Sequence, residues 1–299
     1  MHDHPQPTAS GCPFEGYVEV DGVRLHYVDW GTPKQMPVLF LHGGSAHARW
    51  WDFLVPHLAD RYRCLALDLR GHGDSGWPSG ADYGLETHAA DVAAVIEALD
   101  LHHVAVVGHS FGGFVAMTFS ATARPRLAAL VIVDSRASIS ERSSRFLEAL
   151  RKLPQPQYGS LEEAIRRFRL LPVASKARPE IVAHVARHGM RRDANGTWTL
   201  KFDRRAMSGT APRDFSPALA TLRCPLLAVR GAASEIVPRA GLTEFRAANP
   251  RSVTAEIADA HHHVMLDQPA ELARVIGAFL LDAQHSAPPP TTSLPVRHG

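Results

Sequence analysis

Runs of four to eight apolar residues, each ending at a cluster of small or polar residues, recur along this chain and alternate with segments of helical periodicity. Tyr17 to Val20 and Val23 to Trp30 flank Asp21-Gly22, a dipeptide that favours the tight turn of a hairpin, and predict two antiparallel strands at the start. Val38 to Leu41 predicts a buried strand, Trp50 to Leu58 a helix and Cys64 to Leu69 a further strand. In Glu86 to Leu101, Val92, Val95, Ile96 and Leu99 share one helical face. Val104 to Val107 and Leu127 to Val133 are again strand-like, with a helix between them from about Phe111. The rhythm returns at Pro225 to Arg230, with a helix near Arg239 to Ala247, a strand near Ser252 to Ile257 and a helix from Pro269 to Leu281.

Alternation of continuously apolar strands with helices predicts an α/β fold, a mostly parallel sheet covered on both faces. The arginine-rich stretch 135–217 breaks the rhythm. It carries helical segments at Arg145 to Leu153 and Leu161 to Leu170 and one short strand at Thr197 to Phe202, and reads as a mainly helical cap. The expected organisation is a flexible N-terminus over 1–14, a core from 15–134 and 218–283, a cap between them, and a disordered tail over 284–299, where proline, threonine and serine leave little to bury.

The most informative junction is Gly108-His109-Ser110-Phe111-Gly112, where strand turns into helix. A serine on so tight a turn takes strained torsions and needs small residues on either side of it, so Ser110 should stand exposed at the helix start as a nucleophile. The same glycine-rich turn could cradle a phosphate, but GxGxxG and GxxxxGK[ST] are absent. In such a sheet ligands gather beyond the carboxyl ends of the strands, and His42, Asp134, Glu235 and the Ala260-His261-His262-His263 turn all lie just past such ends.

Charge and cysteine usage narrow the classes. With 32 Lys and Arg against 30 Asp and Glu, the formal net charge is +2, too balanced for a nucleic-acid partner. No apolar run is long enough to span a bilayer, and three scattered cysteines form no CxxC pair, which fits a soluble protein of the reducing cytoplasm. Neither HExxH nor HxHxDH occurs, which weakens any zinc reading of the histidine triplet.

GHSFGG at Gly108 to Gly113, LHGG at Leu41 to Gly44, DLRGHGDS at Asp68 to Ser75 and AHHHVMLDQP at Ala260 to Pro269 together resemble the α/β-hydrolase family, in particular its esterase-like and lipase-like serine members. The resemblance runs from about Tyr17 to Leu281 and implies a serine hydrolase acting on small-molecule carboxylic esters, without cofactor or metal. It implies Ser110 as nucleophile, His262 as base, and the backbone amides of Gly44 and Phe111 as oxyanion donors. His261 stands where glycine is usual and Asp267 where glutamate is common. For the acid, RGAASEIVP at Arg230 to Pro238 is similar to a family stretch in which serine takes the customary aspartate place and the acid follows. That selects Glu235, with Asp134 as the rival after the preceding parallel strand. Trp51 and His109 are the expected substrate-contacting side chains, Trp51 either walling an acyl pocket or packing in the core.

Serine at 110 sets the chain apart from the haloalkane dehalogenases and epoxide hydrolases of this fold, which use aspartate there. Carbon–carbon bond hydrolase, lactonase, amidase and perhydrolase activities share the same residue set, and a non-catalytic receptor that uses the pocket for small molecules is the reading from outside enzymology.

Overall fold

The computed structural model describes residues 13–80, 82–122, 126–207 and 210–286. The chain opens with a hairpin, β1 (Phe14–Val20) and β2 (Val23–Asp29), turning at Asp21 and Gly22 with φ of 48° and 75°. Next come β3 (Met36–Leu41), β4 (Tyr62–Leu67), α1 (Leu85–Ala98), β5 (Val104–His109), α2 (Phe111–Ser120) and β6 (Leu127–Val133). An insertion follows, holding β7 (Ser138–Ile139), α3 (Glu141–Arg151), α4 (Leu161–Arg167), α5 (Pro179–His188), β8 (Met190–Arg192), β9 (Trp198–Leu200) and β10 (Arg213–Asp214). The chain then returns through α6 (Ser216–Ala220), β11 (Leu226–Gly231), α7 (Ala240–Ala248), β12 (Val253–Ile257), α8 (Val264–Asp267) and α9 (Pro269–Ser286).

Eight strands form one sheet in the order β1-β2-β4-β3-β5-β6-β11-β12. Only the pairings of β2 are antiparallel; from β4 onward every pair is parallel. Period-two alternation splits each strand between two cores. Leu39 and Leu41 of β3 point to the face covered by α1 and α2, with Val92, Val95, Val115 and Phe119; Val38 and Phe40 point to the other, with Leu272, Ile276 and Leu280 of α9. All these side chains are almost fully buried, each contributing about 1.5–3 kcal/mol of transfer free energy.

Trp50 to Leu58 does not form the expected α-helix. It makes two 3₁₀ turns, Ala48–Trp51 and Val55–His57, in which the N–H groups of Asp52 and Leu54 reach back only three residues, to Arg49 and Trp51. Pro56 accounts for the break, since it has no N–H and its ring crowds the carbonyl four residues earlier. The apolar face of α5, with Ile181 and Val185 buried, was not anticipated from the sequence. Helix α9 runs two residues past Gln284, where the tail was expected to begin; the tail from 287 and the N-terminal residues 1–12 lie outside the described residues.

The insertion enters and leaves the core through paired strands, β7 against β10, and carries a small hairpin of β8 and β9. Several side chains pin it to the core, among them His47, whose Nε2 reaches Val185 O of α5 at 2.9 Å, and Tyr83, which donates its hydroxyl to Asp203 Oδ2 at 2.6 Å. No helix among the described residues is long and apolar enough to cross a membrane.

Candidate active site

The parallel register carries two reactive side chains to the same edge of the sheet. His109 of β5 pairs with Val133 of β6, so Ser110 and Asp134 are the first residues beyond a shared last rung. Ser110 N donates to Val133 O at 3.0 Å and Asp134 N to Val229 O at 2.7 Å, which staggers the two residues across neighbouring strand ends. Both turn sharply there. Ser110 has φ 51° and ψ −117°, and Asp134 has φ 45°, torsions costly for residues bearing a side chain.

Close approach makes the Ser110 turn possible. A Cβ on Gly108 would lie 2.3 Å from Gly112 O, and one on Gly112 would lie 2.4 Å from Leu41 O, so strand, helix and the β3 loop touch through backbone alone. Gly43 presses against the same turn, its imagined Cβ 3.3 Å from Ser110 Cβ. Ser110 is the N-cap of α2, whose first residue is Phe111, and Gly43, followed by Gly44, brings the loop after β3 against the same turn. The positive end of the α2 dipole lies on that side.

His262 completes the line. Its Nε2 stands 3.0 Å from Ser110 Oγ and its Nδ1 2.7 Å from Asp134 Oδ2. A carboxylate only accepts, so Nδ1 carries the proton and Nε2 presents its lone pair to the serine hydroxyl. Asp134 is fully buried and held by two further donors: Oδ1 accepts from Gly231 N at 2.9 Å, and Oδ2 also accepts from Ser234 Oγ at 2.6 Å. Ser234 in turn accepts from the N–H groups of Ile236 and Val237.

The carboxylate brought to the imidazole is thus Asp134 and not Glu235, whose side chain is exposed to solvent. The reason is local: Ser234, on the strand-end turn after β11, faces inward to Asp134, and its successor is turned outward. Trp51 also departs from expectation. It is completely buried against Phe40, ring centroids 4.8 Å apart, inside the core facing α9. His109 is buried too, and its Nε2 donates to the carbonyl of His262 at 2.9 Å. It therefore fixes the backbone beneath the imidazole and does not face a ligand, while Nδ1 has no hydrogen-bond partner.

The other histidines of the triplet divide the work of holding the loop. His263 Nε2 donates to Pro172 O in the insertion at 3.1 Å, and its ring stands edge-on to Trp50. His261 N donates to Asp267 Oδ2 at 2.7 Å, and Asp267 Oδ1 accepts from Ser175 Oγ and Lys176 N of the insertion. Asp267 is therefore a clamp between loop and insertion. Burial, reinforced by the neighbouring His262, pushes His263 down to about 3, so it stays neutral.

The loop after β3 is braced by His42, whose Nε2 accepts from Leu69 N at 3.0 Å and whose Nδ1 consequently donates to Gly43 O at 2.7 Å. Burial, with a smaller push from His72, lowers His42 to about 3. The DLRGHGDS loop is organised by Asp68, which accepts from Ala48 N, Asp74 N and the His26 ring. Burial alone would raise this carboxyl, yet the His26 hydrogen bond and surrounding imidazoles offset it and hold Asp68 below the usual carboxylate range. The roles of Asp68, Asp267 and Ser234 were not legible in the motifs. Each is a polar residue next to a glycine turn or an apolar run, and only the inward orientation distinguishes them.

Chemically, a lone pair aimed at a hydroxyl with a buried carboxylate behind the ring is an arrangement that can draw the proton from the hydroxyl and make an alkoxide.

A family model described as alpha/beta hydrolase fold matches residues 36–269. Over 259 residues the chain is 30% identical to the esterase Rv0045c of Mycobacterium tuberculosis, an alignment taking in 84% of each protein. A non-heme chloroperoxidase of Streptomyces lividans is 43% identical over 117 residues, which span 38% of this chain and 42% of the chloroperoxidase. Among solved structures, an E-2-(acetamidomethylene)succinate hydrolase superposes with a TM-score of 0.79 at 24% identity, covering 90% of this chain and 99% of its own, and shares the fold.

Proposed function

The chain belongs to the alpha/beta hydrolase fold family and is a hydrolase, and on that footing we propose that it cleaves carboxylic esters through an acyl-enzyme intermediate on Ser110. The observation that carries this reading is the continuous hydrogen-bond line from Asp134 through His262 to Ser110, at 2.7 and 3.0 Å. Similarity to the mycobacterial esterase over most of both chains supports ester chemistry within the family.

In the proposed cycle Ser110 Oγ attacks the ester carbonyl carbon as its proton passes to His262 Nε2. Asp134 stabilises the imidazolium so formed and keeps the ring in the orientation that Nδ1 requires. The carbonyl oxygen becomes an oxyanion between the amides of Gly44 and Phe111, each donor being worth about 3 kcal/mol in the transition state. The tetrahedral intermediate collapses, His262 returns the proton to the departing alkoxide, and an alcohol leaves. Water then attacks the acyl carbon with His262 again as base, and the released acid restores Ser110.

Serine at 110 favours this route over the aspartate-nucleophile chemistry of haloalkane dehalogenases and epoxide hydrolases, because a serine ester is opened at its carbonyl and an alkyl ether of serine would not be. The insertion that meets the loop at Pro172 and Ser175 is the proposed cap, and it sets which acyl and alcohol groups are accepted. Hydrolysis of p-nitrophenyl esters from acetate to octanoate, with Ser110→Ala as control, tests the proposal. Turnover by the wild type and background rate in the variant support it; equal rates overturn it. Fluorophosphonate labelling mapped to Ser110 is the companion measurement.

A further inference from the structure

On the seam between insertion and core three potential metal ligands converge. His184 and His188 lie four residues apart on α5, one helical turn, and so share a face. Their rings are 4.5 Å apart. Asp52, just after the first 3₁₀ turn of the core, meets them from the opposite side, with His184 Nε2 2.7 Å from Asp52 Oδ2. One ligand atom from each residue can be chosen so that all lie within 4.8 Å of one another.

We propose that Asp52, His184 and His188 bind a divalent first-row transition ion, with zinc the best match to their chemistry, and that the ion fastens α5 to the core. Two imidazoles and a carboxylate are the donor set that zinc accepts with one position left open. Tetrahedral ligands at zinc distances stand roughly 3.3 Å apart, so the site needs only a modest contraction around the ion. Access is in place as well: the side chains of His184 and Asp52 are 31% and 14% exposed, enough for an ion to enter from solvent.

The second carboxylate oxygen helps. Asp52 Oδ1 is buried and has no hydrogen-bond partner; Arg49 Nη1 lies 3.6 Å from it and is the nearby cation. That guanidinium is itself paired with Glu15, so it leaves Oδ2 to the histidines. In the metal-free chain His184 Nε2 and Asp52 Oδ2 share a proton, whose place the ion takes. Phe53 stands edge-on to His184 at 5.0 Å and holds the ring in place.

Two other sets, His109 with His262 and His263, and His26 with Asp68 and Asp74, offer alternative locations for an ion, and the first of them defines the control. Full-length protein freed of metal is titrated with zinc alone by calorimetry, and its unfolding temperature is followed with and without zinc. One zinc ion per chain, tighter than millimolar, is expected to raise the unfolding temperature. Replacing a residue that merely supports a ligand weakens metal affinity about 10–100-fold, so loss of a ligand in His188→Gln, or of both in the double variant His184→Ala and His188→Ala, should exceed that range. His263→Gln should bind as the wild type does. Cobalt substituted for zinc should show the intense visible absorption of a tetrahedral site in the wild type and lose it in the variants. Absence of stoichiometric zinc, or binding unchanged in the double variant and lost in His263→Gln, overturns the proposal.

Discussion

Ser234 donates its hydroxyl proton to Asp134 at 2.6 Å, on the same carboxylate oxygen that faces His262 Nδ1. A residue at the turn after β11 thereby holds an acid that sits after β6. Removing the hydroxyl in Ser234→Ala leaves a buried charge short of one donor, which should lower stability by about 1.5–3 kcal/mol in urea unfolding. Because His262 and Gly231 still hold Asp134, kcat should fall by no more than about tenfold, equivalent to about 1.4 kcal/mol. A variant as stable as the wild type would show that the hydrogen bond carries no net weight.

Asp134→Asn and Glu235→Gln separate the two carboxylates directly. An asparagine would present either an amide or a carbonyl to His262 and would no longer enforce the Nδ1–H tautomer, so kcat on a p-nitrophenyl ester should drop by about 10⁴. Glu235, exposed to water, should be replaceable with less than about a twofold change, as most surface substitutions are. The reverse ranking would put the acid after β11.

Acid should loosen the fold before the carboxylates titrate. His42 and His263 are pushed by burial to about 3, and His72, also buried, to about 4, against 6.5 for the free side chain. Below pH 6.5 the unfolded chain binds protons at these positions that the folded chain refuses, so stability is complete above that pH and lost as pH falls toward 4. Each contributes a slope of up to about 1.4 kcal/mol per pH unit. Asp68, held below its ordinary value, adds a further loss as the pH falls through the carboxylate range. Urea midpoints at pH 7.5, 6 and 5 check this, and His72→Phe, which keeps an aromatic ring stacked on Phe111 and tilted against Phe202, should remove one share of the slope.

Gly112 has no room for a methyl group, since a Cβ there would meet the backbone oxygens of Leu41 and His42 at 2.4 and 2.5 Å. Gly112→Ala must push α2 away from the β3 loop, costing about 1–3 kcal/mol, and should separate the amides of Gly44 and Phe111. Loss of more than about tenfold in kcat with KM little altered is the expected kinetic result under the proposed mechanism, in which these donors act on the transition state.

Much of this architecture was written in the apolar rhythm. The Asp21-Gly22 turn, the strands on either side of Ser110 and the helix at Pro269 could be read because strand and helix periods dominate there. His262 could be picked from three adjacent histidines because AHHHVMLDQP resembles a family segment whose histidine aligns there. The acid could not, because local sequence around Ser234-Glu235 says nothing about which of two neighbouring residues turns inward, and Asp134 declares itself only through its position beside Ser110, both one residue past the His109–Val133 rung. Trp50 to Leu58 misled because its apolar spacing outweighed a single proline. Trp51 and His109 were placed by proximity in sequence to the motifs, whereas burial decides against both as ligand contacts.

Asp267 grips the insertion with one oxygen, at Ser175 and Lys176, and steadies the backbone of His261 with the other. Insertion and His262 loop are therefore tied together through this side chain, alongside the His263 contact to Pro172 O. Anyone grafting a foreign roof onto this scaffold to change its diet would have to transplant the Ser175-Lys176 knuckle with it, or the exchange would unsettle the chemistry below while the new roof itself folded well.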